Sequence, residues 1–213
     1  VMISVNNKVP GAALGEEHLE AIRESAAVES AIPILVDYTR SYMRELMLDT
    51  VVWGIDSGAG QVIALEPLYG RLITKNDVQA GRRVCVVDQN IAQAYYKRDN
   101  IVGKTLTLRF AGGYEEFEVV GVVASGGALM QGLMGDLIPS FIYLPYSTMQ
   151  TLSGKDTFDQ IAVRVREGVD EDVAGTQLAS VCNRLSGTSG AYKAENMQSQ
   201  KNKLGGVLDI VTT

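Results

Sequence analysis

A strand–helix–strand pattern stands at both ends of this chain, and that repetition constrains its fold more than any other feature. Residues 1–6 alternate apolar and polar side chains as a half-buried strand does. Residues 15–25 follow with Leu19, Ile22 and Ala26 at helical spacing, and Glu16 and Glu17 suit the positive end of a helix dipole. Apolar β-type runs come next at 31–37 and 50–55. Near the other end, Ile161, Val163 and Val165 alternate in a strand over 160–166. A helix capped by Asp170 then carries Val173, Ala174, Leu178, Val181, Cys182 and Leu185 as one apolar stripe, with Gly187 beyond its end. Residues 189–195 supply a short closing strand.

The middle of the chain has a different texture. Residues 83–87 read as a strand and 89–97 as a short helix. Residues 104–110 and 115–123 form a hairpin across Ala111-Gly112-Gly113-Tyr114, which sets Leu106, Leu108 and Phe110 against Phe117 and Val119. One more strand, 140–144, stops at Pro145. The expected class is α+β: a split βαβ/βαβ layer from residues 1–65 and 157–203, with a strand-rich subdomain inserted at 66–156. Cys85 and Cys182 fall in different subdomains and are expected not to bond to each other.

The 213 residues carry 19 basic against 25 acidic side chains, a formal charge of −6, and no basic cluster longer than Arg82-Arg83. Nucleic acid is therefore no partner. One histidine, His18, is too few for most catalytic and metal-binding arrangements, and it reads as a surface residue on a half-exposed helix. No run reaches the roughly 20 apolar residues of a membrane span. Both ends look cut: Val1 is no natural start, and residues 204–213 turn apolar as the chain stops.

Several motifs nearly exist. Val102-Gly103-Lys104-Thr105 has the end of a phosphate loop, but Arg98 stands where its first glycine must be, and a strand follows instead of a helix. Ser189 has Gly187 but Ala191 on its other side, so it is no nucleophile elbow. Asp170-Glu171-Asp172 is a solvated helix start. No catalytic, cofactor-binding or metal residue is assigned, and the chain is expected not to be an enzyme.

Short signatures in order carry a family resemblance. They are Leu68-Tyr69-Gly70-Arg71 with Asp77 following, then residues 84–87 leading into Ala94-Tyr95-Tyr96. Asn100-Ile101-Val102-Gly103-Lys104, Phe117-Glu118-Val119-Val120-Gly121-Val122 and Ile142-Tyr143-Leu144-Pro145 complete the series. Their order and spacing resemble the extracytoplasmic core domain of MacB-type ABC transporter permeases. The resemblance implies a porter subdomain split by a sabre subdomain, with residues 204–213 starting the segment toward the next membrane helix. It implies a non-catalytic domain on the extracytoplasmic face of the cell membrane, in the periplasm or at the cell exterior. Such a domain couples ATP hydrolysis by a cytoplasmic ATPase to export of a drug, peptide or lipoprotein, with an accessory or adaptor protein as partner and a dimeric permease as the assembly.

Two other classes compete. An extracytoplasmic ligand sensor or solute-binding domain needs a pocket with converging polar groups. A small hydrolase needs His18 or a carboxylate pair in a working geometry. Ser125 to Pro139 reads as a loop in which glycines alternate with Leu129, Met130, Leu133 and Met134. Methionine on flexible backbone suits adaptable apolar contact, so these four residues are the expected partner-contact site.

Overall fold

The computed structural model describes residues 1–6, 8–125 and 140–196. The fold is mixed α+β and rich in sheet, and it divides into two compact units. One comprises Val1–Pro33 and the chain from Thr157 onward; the other comprises Ile34–Asp156.

In the first unit, strand β1 (Met2–Val5) is the middle of an antiparallel sheet. The last strand, β10 (Tyr192–Glu195), pairs with it on one side, and β9 (Gln160–Val165) on the other. Ile3 therefore lies opposite both Ala194 and Ile161. The opening residues of β2 (Val28–Met43) run beside β9, tied by the Arg164–Glu29 ion pair at 2.9 Å. Helix α1 (Glu16–Arg23) packs on the long helix α6 (Glu171–Ser186) through Leu19, Ile22, Leu178 and Cys182, all buried. As the sequence indicates, the Asp170 carboxylate accepts from Val173 N–H at 2.9 Å, and Gly187 closes α6 in the left-handed region at φ +65°. The expected inward stripe of α6 is narrower than its letters imply. Val173 and Leu185 are 56% and 47% exposed, because the buried row runs through Ala174, Gly175, Leu178 and Cys182. Gly175 belongs to that row because a Cβ there would come within 3.0 Å of the Ala194 methyl on β10.

The second unit is a sheet that closes on itself. Residues 34–43 of β2 form a long hairpin with β3 (Leu46–Ile55), joined by the two-residue turn Arg44-Glu45 at φ 51° and 63°. Strand β3 runs parallel to β8 (Ser140–Pro145), which lies antiparallel to β5 (Val84–Asp88). Strand β5 is parallel to β7 (Gly113–Val123), β7 is antiparallel to β6 (Thr105–Phe110), and β6 returns to β2 at Ser41↔Leu108. The pairings complete a ring of six strands, and β4 (Pro67–Gly70) adds to the end of β7. Leu106, Leu108, Phe110, Phe117 and Val119 face the core, as their alternation predicts. The short helices α2 (Ala59–Val62), α3 (Lys75–Ala80), α4 (Gln89–Tyr96) and α5 (Tyr146–Ser153) occupy the connections.

The division between units falls at 33/34, whereas the sequence reading placed it at 65/66. The reason is the length of the β2–β3 hairpin. It is paired continuously from Leu35↔Gly54 to Met43↔Leu46, and β3 then pairs with β8 as far as Ile55, so residues 34–55 belong to the ring and carry the chain after them into the second unit.

Candidate partner-contact site

The expected contact residues, Leu129, Met130, Leu133 and Met134, lie outside the described residues. The flanks of their segment are described. Asp88, the N-cap of α4, accepts from Ile91 N–H at 3.1 Å through one oxygen and from Phe141 N–H at 2.6 Å through the other. The Ser125 hydroxyl accepts from Asn90 N–H at 3.2 Å. The first turn of α4 thus fixes the chain just before and just after the segment. Burial pushes the Asp88 carboxyl up to about 6, against the pull of the backbone N–H groups that favour its ionised form.

The family signatures acquire mechanical roles. Gly70 sits at φ +69°, where a Cβ would meet the Val120 carbonyl, and a Cβ on Gly121 would meet the Arg71 carbonyl. Only glycine at both positions lets β4 and β7 approach closely enough for Arg71 N–H to reach Val120 O at 3.0 Å. That approach places Arg71 on Asp77. The Asp77 side chain is fully buried and receives Arg71 Nη1 at 2.6 Å and Arg71 Nη2 at 3.3 Å. Arg82 Nη1 stands 3.6 Å away, and Thr74 N–H donates at 2.9 Å. Burial alone would raise this carboxyl; the Arg71 fork and the Thr74 groups outweigh it and hold the carboxyl below its ordinary value.

His18 is buried at 3% exposure, which corrects the expectation of a surface residue. Its partners come from far along the chain. Gly15 N–H donates to Nδ1 at 3.0 Å, so the ring proton sits on Nε2, 2.7 Å from Ser186 Oγ. Tyr192 donates its hydroxyl to the Ala13 carbonyl at 2.6 Å and accepts from Ser186 Oγ at 2.9 Å. Every proton therefore runs from His18 through Ser186 and Tyr192 to a carbonyl. A histidine that activates serine must present a bare nitrogen to the hydroxyl; here it presents N–H, the reverse polarity. Burial lowers the His18 pKa, with Glu17 acting weakly the other way, which keeps the ring neutral. The arrangement is a structural clasp between α1 and the end of α6.

The other candidates yield no chemistry. Cys85 and Cys182 are buried free thiols in different units; burial raises both, Cys182 to about 11. Among the described residues, no three His, Cys, Asp or Glu side chains gather as a metal site. A hollow of about 210 Å³ lined by Val5, Ala12, Ala13, Thr157, Phe158 and Asp159 is smaller than the roughly 300–1,000 Å³ usual for small-molecule sites.

Sequence reasoning missed the exposed end of the β2–β3 hairpin. Leu46 and Met47 are 51% and 50% exposed there; Tyr38, paired with Val51 farther along the hairpin, and Tyr114 on β7 are 77% and 62% exposed. Three cations lie over the Tyr96 ring nearby: Arg44 at 4.7 Å, Lys104 at 5.3 Å and Arg98 at 5.6 Å from its centroid. Part of the signal was present as Tyr38-x-Arg40-x-Tyr42, which alternation places on one face of β2, with Arg44 following in the turn.

Comparison with known proteins agrees with this geometry. The family described as MacB-like periplasmic core domain matches residues 1–181. An uncharacterized ABC transporter permease, YknZ of Bacillus subtilis, is 23% identical over 198 residues, covering 93% of this chain and 48% of YknZ. The macrolide export ATP-binding/permease protein MacB of Aggregatibacter actinomycetemcomitans is 28% identical over 137 residues, 64% of this chain and 20% of MacB. This chain thus spans about half the length of one relative and a fifth of the other. The crystal structure of the periplasmic region of MacB from Actinobacillus actinomycetemcomitans superposes with a TM-score of 0.75 at 22% identity, over 96% of this chain and 91% of that one. At that identity the likeness is one of fold.

Proposed function

Because this chain belongs to the MacB-like periplasmic core domain family, we propose that it works as the non-catalytic, extracytoplasmic coupling domain of an ABC transporter permease. The observation that carries the reading is the family match over residues 1–181, supported by the fold shared with the periplasmic region of MacB. In this reading the full-length protein sits in the membrane as a dimer. Its cognate cytoplasmic ATPase supplies the motion, and this domain passes it to an accessory protein and an amphiphilic substrate. The unit containing the β1–β9–β10 sheet serves as the porter-like part and the closed ring as the sabre-like part. Leu129, Met130, Leu133 and Met134 offer an adaptable apolar contact, a role their chemistry supports.

The test replaces Met130, Leu133 and Met134 with serine. The isolated domain should keep its stability within about 1 kcal/mol, while export by the full transporter falls. A variant that folds and exports normally places the contact elsewhere. One that unfolds the isolated domain makes these side chains core.

A further inference from the structure

We propose that the face of the closed ring around Tyr96, formed by Arg44, Arg98 and Lys104 with Leu46 and Met47 at the same hairpin end, docks an acidic segment of a partner protein. This deepens the partner-contact reading, and a binding assay on the isolated chain tests it without reference to transport.

The first observation is how differently the cations of this unit are treated. Arg71 and Arg82 share Asp77, Arg83 pairs with Glu115, and Arg40 pairs with Asp49 at 3.4 Å. Arg44, Arg98 and Lys104, like Arg109 and the other lysines of this unit, make no ion pair among the described residues, but these three alone converge within 6 Å of one ring. Two acids stand close in sequence. Asp99 is taken up by the Gln89 and Gln93 amides, and Glu45, in the turn, makes no ion pair among the described residues. Three like charges so close repel one another within a screening length of about 8 Å, and the negative ring face offsets that only in part. In a chain of net charge −6, this is a local positive site that lacks its counter-charge.

The second observation concerns which anion fits. Arg44 is positioned: it stacks on Tyr96 and its Nη1 reaches the Tyr95 carbonyl at 3.4 Å. Two guanidinium forks and an ammonium spread around one ring suit several carboxylates on an extended chain better than one small anion. Arginine held on an aromatic, with half-exposed Leu46 and Met47 beside it, has the composition of a protein-interface centre.

Fluorescence anisotropy with a labelled nonapeptide, Glu-Glu-Leu repeated three times, is the direct test. The wild-type chain should bind it, and bind its Gln-Gln-Leu counterpart at least about tenfold more weakly. The triple substitution R44Q/R98Q/K104Q should cost about tenfold, whereas K8Q/K75Q/K155Q, matched in charge but outside the set of cations over Tyr96, should cost nothing. The single exposed charge reversal R98E gives the same loss if the triple variant folds poorly. Equal binding of the glutamine peptide, or equal loss in the remote variant, overturns the proposal. So does binding to phosphatidylglycerol vesicles or inorganic phosphate without binding to the peptide, and so does self-association that the triple variant abolishes.

Discussion

Two arginine clusters in the same unit meet opposite fates. At Asp77, two guanidinium groups converge on a fully buried carboxylate that also caps α3 with Thr74. At Tyr96, two guanidinium groups and an ammonium lie on a ring, and none of the three makes an ion pair among the described residues. The first cluster is closed: every strong donor has its acceptor, and removing the acid strands the rest. The second is open, with charge fixed in place and left for something outside to answer. Positive residues in a sequence therefore say little until their counter-charges are located.

The largest effect should come from opening the closed cluster. Asp77→Ala removes a cap and the acceptor for Arg71, and is expected to cost about 2–4 kcal/mol in urea denaturation, with Asp77→Asn intermediate. A loss below about 1 kcal/mol would make the two clusters equivalent and dissolve the contrast.

A smaller effect separates the neutral clasp of the other unit from both. His18 is held neutral in the fold, so its pKa is depressed there while the unfolded ring titrates near 6.5. As pH falls below about 6.5 the unfolded chain takes up a proton that the folded chain does not, and stability drops until the folded pKa is passed. Asp88 has the opposite sign. Raised to about 6, it binds a proton in the fold between roughly pH 4 and 6 that the unfolded chain lacks, so its contribution fades as pH rises through that window. Subtracting the His18→Gln curve from wild type isolates the histidine. The difference should shrink on going from pH 7.5 to 5.5, and one that grows would mean His18 is charged in the fold.

How legible these sites were depends on how far apart their parts lie. The Asp170 cap, the β6–β7 hairpin and the Arg71-to-Asp77 signature are local, and each reads from the letters. His18 does not, because Ser186 and Tyr192 stand more than 160 residues away in sequence. The second half of β2 escaped for another reason. Its inward residue Ser41 is polar and pairs with the buried Tyr95 hydroxyl at 2.8 Å, so the strand shows no apolar alternation where it turns into the ring. Helix α5, starting directly after Pro145 in Tyr146-Ser147-Thr148-Met149, has serine and threonine where helix formers are expected. The apolar stripe of α6 was read too wide because the helix buries one narrow row, Ala174, Gly175, Leu178 and Cys182, against β10 and α1, which leaves Val173 and Leu185 exposed.

The most direct measurement compares export by the full-length transporter, at equal membrane abundance, for wild type and R44Q/R98Q/K104Q. The isolated variant domain should remain within about 1 kcal/mol of wild-type stability, since the cation–π contacts and the single Arg44 hydrogen bond it loses are offset by relief of repulsion among the three charges. Export should nonetheless fall severalfold while ATP hydrolysis by the detergent-solubilised transporter persists, as expected if an extracytoplasmic contact has been uncoupled from the motor. Undiminished export by a stable, correctly inserted variant would contradict a coupling role for this face.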